Sequence, residues 1–260
     1  MQLVVVGSAD AFNSAGRGHS CYWLEDAARR PLMIDFGGTA LQGLARLDLD
    51  PRALGGVLLT HLHGDHFGGL PFLQVALTYQ RPRSEPLVVV GPPGSAERVR
   101  ALVEITYGEV LRETAFRFEV RELAPGGSLE VEGARVEAFA AVHQDPPERP
   151  LCLRVTGRDG SVVAFSGDTE ACEGLLAAAA GVDLLVGDCT GLAPPVGPHM
   201  TWIDWRAVLP SLTARRVVLS HLGADVRAAA PDALAGVRGG PPVELADDGA
   251  RYVVTPRART

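Results

Sequence analysis

The stretch Thr60-His61-Leu62-His63-Gly64-Asp65-His66 follows the apolar run Gly56-Val57-Leu58-Leu59 and precedes a helix-like segment from Phe67 to Tyr79. Three histidines and one aspartate fall within six positions. Imidazole and carboxylate are ligands for borderline divalent ions such as Zn²⁺. His61 and His63 leave a strand end on one side of the loop, while Asp65 and His66 turn toward a second point a short way off. A helical i, i+4 pair binds one ion; the i, i+2, i+4, i+5 spacing suits ligands shared between two. Burying four such groups without a cation would leave polar atoms unpaired at a real cost.

The bulk of the chain narrows the setting. Its 260 residues, 47% of them hydrophobic, suffice for a substantial core. A formal charge of −7 argues against a broadly basic nucleic-acid-binding surface, although not against a local basic cleft. No apolar run approaches the length of a membrane span. Met1-Gln2-Leu3-Val4-Val5-Val6-Gly7 lacks a charged leader and a cleavage site, so it reads as a first strand. Cys21, Cys152, Cys172 and Cys189 form no C-x-x-C pair and read as reduced thiols of a cytoplasmic protein.

Along the chain, apolar runs end repeatedly in a polar or glycine-rich turn. Leu3–Val6, Pro31–Ile34, Val57–Leu59, Leu87–Val90, Val136–Val142, Val162–Phe165, Leu184–Val186 and Val217–Leu219 all have this form. Continuous apolar runs predict strands buried on both faces, as when helices cover the sheets. Helix-like segments lie between them. Ser95 to Arg112 opens with Ser as N-cap, Glu170 to Ala180 stops at Gly181, and Asp204 to Leu212 contains Pro210. Hairpins are predicted at Glu132-Gly133 and at Arg158-Asp159-Gly160. The chain reads as sheet-rich α/β with helices outside.

Ligand-type residues sit where the buried strands run out: His61, His63, Asp65, His66, His143, Asp168 and His221. Strand ends are rigid and the loops beyond them free to vary, which suits a site. H-x-H-x-D-H after an apolar strand, then His143, Ser166-Gly167-Asp168-Thr169 and Leu219-Ser220-His221-Leu222, resembles the successive motifs of the metallo-β-lactamase superfamily of binuclear metallohydrolases. The resemblance covers nearly the whole chain. It implies one domain over residues 1–260, a four-layer αββα sandwich with two mixed sheets and helices outside. It also implies two divalent ions, zinc foremost, with Mn²⁺ or Fe²⁺ according to supply. His61, His63 and His143 would hold one ion and Asp65, His66 and His221 the other, with Asp168 bridging and Asp35 steadying the loop. No thiolate takes part, unlike in the cysteine-containing lactamase subclasses.

Two such metals lower the pKa of a shared water and clamp the oxygens of an in-line displacement, so hydrolysis by a bridging hydroxide is the implied reaction. Asp188-Cys189-Thr190 and His199-Met200-Thr201 resemble the acid-supplying pair of the ribonuclease Z branch. By that likeness Asp65 joins the catalytic group, His199 protonates the leaving oxygen, Asp188 orients His199, and Thr201 lends a hydroxyl. The loop from Gly7 through Arg17-Gly18-His19-Ser20 resembles the branch's opening glycine-rich loop, where Arg17 and His19 would meet a phosphate. True ribonuclease Z enzymes insert a tRNA-gripping arm between the third-motif histidine and the bridging aspartate. Here only 24 residues, 144–167, separate them. The expectation is an armless phosphodiesterase-like relative acting on a small phosphodiester, cyclic or nucleotide-derived. Nucleic acid is a less favoured substrate, and no membrane is involved. A homodimer is suggested by the family alone. The alternatives are a hydrolase of a carbonyl substrate such as a lactone, thioester or β-lactam, a tRNA 3′-processing endonuclease, and a metal-holding scaffold without activity.

Overall fold

A computed structural model describes residues 1–26, 29–111, 114, 116–234 and 239–257. Two seven-stranded sheets lie face to face. The first runs in space as β14 (Arg251–Val253), β1 (Gln2–Gly7), β2 (Cys21–Asp26), β3 (Arg29–Ile34), β4 (Gly56–Leu58), β5 (Leu87–Gly91) and β6 (Phe118–Glu122). The second runs as β13 (Val243–Leu245), β12 (Val217–Ser220), β11 (Leu184–Asp188), β10 (Val162–Phe165), β9 (Leu151–Thr156), β8 (Ala134–Ala140) and β7 (Ser128–Val131). Both sheets are mixed. β14 through β3 pair antiparallel and β3 through β6 parallel. In the second sheet β7 through β10 pair antiparallel and β10 through β13 parallel.

The apolar runs explain the layering. In β1, Leu3 and Val5 point into the space between the sheets, where they join Leu24, Ile34 and Leu58 against Val136, Val155, Val163 and Val218 of the other sheet. Val4 and Val6 point the other way. They pack with Trp23, Met33 and Val57 beneath α1 (Ala40–Arg46), α3 (Leu70–Val75) and α4 (Ser95–Leu111). On the far side Ala164, Leu185, Val217 and Leu219 pack beneath α5 (Glu173–Ala179), α6 (Trp202–Val208) and α7 (Ala224–Leu234). Helices outside two sheets, as expected, account for strands apolar on both faces. Among the described residues no helix is long and apolar enough to cross a membrane.

Several boundaries moved, each for a local reason. The helix expected over 67–79 is broken into α2 (Gly64–Phe67), α3 and a π-turn at Ala76–Gln80. Gly68 and Gly69 separate the first two pieces because the loop after β3 passes close by: a Cβ on Gly69 would lie 2.2 Å from the Gly37 carbonyl oxygen. Ser95 opens α4, but its hydroxyl donates backward to the Pro92 carbonyl (2.6 Å); Arg112, the expected helix end, lies outside the described residues. α5 starts at Glu173 because Cys172 is its N-cap. Pro210 falls in the 3₁₀ turn Leu209–Ser211 that follows α6, where its missing N–H costs nothing. The edge strand β6 carries no continuous apolar run; it alternates exposed charges with half-buried apolar side chains, as suits an edge.

The loop after β3 is sewn to the metal-ligand loop. Phe36 N–H donates to the His66 carbonyl (2.6 Å) and Gly69 N–H to the Phe36 carbonyl (2.9 Å). A Cβ on Gly37 would sit 1.8 Å from the Asp65 carbonyl oxygen, whereas one on Gly64 would meet nothing within 4 Å. Gly37→Ala is therefore expected to lower stability by about 1–3 kcal/mol in urea unfolding, with Gly64→Ala within about 0.5 kcal/mol of the parent. Equal stability of the two variants would show that the two loops do not depend on this close approach.

Candidate metal centre

The carboxyl ends of β3, β4, β8, β10, β11 and β12 deliver Asp35, His61, His143, Asp168, Asp188 and His221 to one edge of the sandwich. The second half of the histidine loop, Asp65 and His66, is carried by α2. The seven expected ligands are brought together. Ligand atoms of His61, His63 and His143 lie within 4.8 Å of one another, as do those of Asp65, His66, Asp168 and His221. The two groups meet at Asp168. Its Oδ2 is 3.3 Å from His66 Nε2 and 3.4 Å from His221 Nε2, yet also 3.6 Å from His61 Nε2 and 3.7 Å from His143 Nε2.

Hydrogen bonds on the far side of each ring decide which nitrogen faces the centre. Asp35 accepts from the Thr60 N–H (2.7 Å), the Thr60 hydroxyl (2.8 Å) and His66 Nδ1 (2.8 Å). The Thr60 hydroxyl, having donated to Asp35, accepts from His61 Nδ1 (3.1 Å). His143 Nδ1 donates to the Pro198 carbonyl (2.9 Å), and His221 Nδ1 to the Thr190 hydroxyl (2.9 Å), which itself donates to Asp188 (2.8 Å). Each of these rings thus turns its Nε2 inward, toward the centre. His63 differs: its Nδ1 itself points inward and stands within hydrogen-bond distance of His143 Nε2, at 3.0 Å.

The donor set fits a divalent cation. Nε2 of His61 and of His66 are buried without any hydrogen-bond partner, a costly state that a metal ion would relieve. Two residues sit in left-handed backbone to make the cluster, Asp35 (φ 57°) and His221 (φ 55°). Asparagine-like side chains tolerate this region; for His221 the strain is of the kind stored at functional sites.

Electrostatics separates the two groups. Burial pushes the pKa of His61 well below the ordinary histidine value, and burial likewise lowers His63 and His143. Burial opposes charge on His66 and His221 too, but the carboxylates around them outweigh it. Asp168 and Asp35 raise His66, and Asp168, Asp188 and Asp65 raise His221 to about 10. Burial alone would raise Asp65, yet the imidazoles of His221 and His66 beside it hold it below the usual carboxylate range.

The remaining expected site residues divide. His199 Nδ1 lies 2.9 Å from Asp188 Oδ2, and the His199 ring stands 4.7 Å from that of His143 and 5.3 Å from that of His221. Asp188 is fixed by Thr169 N–H (3.3 Å), by the Ser166 hydroxyl accepting from its N–H (2.8 Å), and by Trp205 Nε1 donating to its carbonyl (2.6 Å). His199, His63, Asp65, His143 and His221 line one cavity of about 650 Å³. Three residues expected to meet substrate are engaged elsewhere. Both arms of the Arg17 guanidinium are on Asp247. The Thr201 hydroxyl is spent capping α6, in a reciprocal box with Asp204 that leaves the residue 1% exposed. His19 abuts Gly37 and Gly38, with its Nδ1 buried, and is not among the residues lining the cavity. Thr60, Thr190 and Pro198, whose oxygens orient the ligand rings, carry no role in the sequence analysis. Thr60 and Thr190 stand next to or near acidic and imidazole residues and were visible as hydroxyls beside ligands; the Pro198 carbonyl carries no side-chain signal at all.

A cation at the Asp65, His66 and His221 group must displace the protons that these two histidines hold at neutral pH. Its affinity is expected to fall as pH falls through the neutral range, with proton release on binding, while the His61, His63 and His143 group, already neutral, changes less. Calorimetric titration of the metal-free protein with Zn²⁺ or Mn²⁺ in buffers of different protonation enthalpy checks this. An enthalpy that does not depend on the buffer contradicts it.

A family model described as a beta-lactamase superfamily domain matches residues 32–222. An uncharacterized protein of Mycobacterium tuberculosis is 29% identical over 226 residues, covering 85% of this chain and 81% of that protein. Ribonuclease Z of Methanothermobacter thermautotrophicus is 26% identical over 274 residues, covering 85% and 86%. In fold the chain resembles the metallo-beta-lactamase fold protein YhfI from Bacillus subtilis, with a TM-score of 0.78, 20% identity and coverage of 96% and 98%. It also resembles a diphosphatase from the PhnP family, with a TM-score of 0.76, 16% identity and 97% coverage of both chains. With its motifs in order, its two mixed sheets between helices and its cation-shaped His/Asp cluster, the chain belongs to the metallo-β-lactamase superfamily, as a ribonuclease Z-like, metal-dependent hydrolase.

Proposed function

We propose that residues 1–260 act as one domain, a cytoplasmic phosphodiesterase that hydrolyses a small phosphodiester with two divalent ions. His61, His63 and His143 are assigned to one ion, Asp65, His66 and His221 to the other, and Asp168 to both. The all-nitrogen-and-oxygen donor set suits Zn²⁺, with Mn²⁺ or Fe²⁺ as substitutes. When bound, such ions supply Lewis acidity, which makes water a nucleophile near neutral pH and draws charge from phosphoryl oxygens.

The chain's own residues do the rest. Asp65, ionised and on the cavity wall, accepts a hydrogen bond from the attacking water and so aims it. Asp35 and Thr60 hold the rings of His66 and His61 in place. The observation that carries the phosphoryl reading is the His199–Asp188 pair at 2.9 Å, with His199 on the cavity wall beside both ligand groups and Asp188 buried behind it. With Nδ1 on Asp188, His199 keeps Nε2 for the leaving oxygen. Burial disfavours its charge, but the Asp188 carboxylate outweighs that and raises its pKa, so the ring carries the proton it must give.

The surroundings of the cavity suit a small substrate. Residues 144–167, where a tRNA-gripping arm would be inserted, contribute β9 and β10 to the second sheet. No arginine or lysine is among the described residues that line the cavity. A polyanion such as tRNA would find little there to neutralise its backbone, whereas one phosphodiester needs only the metal centre. That a PhnP-family diphosphatase shares the fold is consistent with a small substrate.

Asp168→Ala is expected to abolish hydrolysis of both bis-p-nitrophenyl phosphate and a dinucleotide or cyclic nucleotide. His199→Ala, with metal content unchanged, is expected to lose about 10²–10⁴-fold on diesters whose leaving group is a sugar alcohol. Its loss on bis-p-nitrophenyl phosphate should be smaller, because p-nitrophenolate departs without a proton. Equal losses on both remove the acid assignment, and turnover of a p-nitrophenyl ester or lactam far above either diester replaces phosphoryl with carbonyl chemistry.

A further inference from the structure

Phe12 is 86% exposed, whereas Phe36, Phe116 and Phe165 are at most 2% exposed. A phenylalanine left in water forgoes about 1.5–3 kcal/mol of burial, so its position asks for a reason. Phe12 lies on the wall of the same cavity as His63, His143 and His199.

The loop that presents it is built rather than slack. The Asp10 side chain, itself 4% exposed, accepts from the Phe12 N–H (3.2 Å), the Ser14 N–H (3.1 Å) and the Ser14 hydroxyl (2.8 Å). Asn13 and Ala15 stand in left-handed backbone at φ 54° and 56°, which for alanine costs energy that the surroundings must supply. Asn13 Nδ2 donates to the Arg17 carbonyl (3.0 Å), and Arg17 is clamped on Asp247. The interaction that took Arg17 away from a phosphate thus fixes the loop that holds an aromatic ring at the cavity.

What the ring meets follows from the rest of the wall. Asp10, Asp145 and Glu148 line the cavity, Glu148 paired with Arg98 at 2.8 Å, and no arginine or lysine lines it, among the described residues. Outside the metal centre the cavity therefore offers no arginine or lysine to a further anionic group. A ligand filling it joins one phosphoryl group to an uncharged remainder, and a rigid, exposed ring selects a flat one. We propose that Phe12 is the stacking platform for a nucleobase, so that the substrate is a nucleoside phosphodiester with no second phosphate. The assignment rests on the phosphodiesterase reading above and names the part of the substrate that the reading leaves open.

Two chromogenic diesters that share a leaving group test it: thymidine 5′-(p-nitrophenyl phosphate), which carries a base, and methyl p-nitrophenyl phosphate, which does not. Base–aromatic stacking contributes enough that Phe12→Ala is expected to raise KM for the thymidine diester about tenfold. Both kcat values and the KM for the methyl diester should stay unchanged, and Phe12→Trp should retain the parent KM. The same rise for both diesters, or none for either, overturns the proposal. If the parent protein cleaves neither diester, the phosphodiesterase reading fails, and calorimetric binding of thymidine 5′-monophosphate to metal-loaded protein then judges Phe12 separately. Binding weakened about tenfold in Phe12→Ala and kept in Phe12→Trp supports the platform; equal binding by all three proteins, or no binding to the parent, overturns it.

Discussion

A single buried carboxylate oxygen, Oδ2 of Asp168, stands 3.3–3.7 Å from the inward nitrogens of His66, His221, His61 and His143. So dense a set of polar atoms, 3% exposed at Asp168 and 0% at His61, is costly in a protein interior unless positive charge is placed among them. The rest of the architecture can be understood as holding these groups where they would otherwise repel or strand one another. Six strands end at this edge, two residues accept left-handed backbone, and threonines and a proline carbonyl occupy the outer ring nitrogens so that the inner ones face the centre.

Much of this was legible in the sequence because it is written in side chains. Apolar runs such as Val162–Phe165 coincide with β10, and the polar residues that follow such runs are the ones the structure gathers. Ligand chemistry is restrictive, so His61, His63, Asp65 and His66 at close spacing mean little else. Edge strands were less legible. β6 and β14 are short, partly exposed and interrupted by charge, so they lack the continuous run that marks a buried strand.

The substrate side of the site was the least legible part, and for a physical reason. A charged or hydroxylated side chain has many uses, and its sequence neighbours do not reveal which one wins. Arg17 has the chemistry of a phosphate clamp, but Asp247, 230 residues away, takes its guanidinium. Thr201 stands three residues before Asp204 and two after His199; the helix cap wins because it satisfies donors at a buried helix start. Phe12 shows the converse. Nothing in its type distinguishes it from a core residue, and only the turn built on Asp10 turns its ring outward.

The ligands are divided between the two sheets. His61, His63, Asp65 and His66 follow β4 of the first, while His143, Asp168 and His221 follow β8, β10 and β12 of the second. A cation held by either group would therefore be a rivet through the sandwich, with its binding free energy available only to a chain whose two sheets have already closed on each other. Mass action then couples metal supply to the folded population. A cell short of the ion would hold more of this protein open to proteolysis, and defects far away in the intersheet core would be masked where the metal is plentiful and exposed where it is scarce.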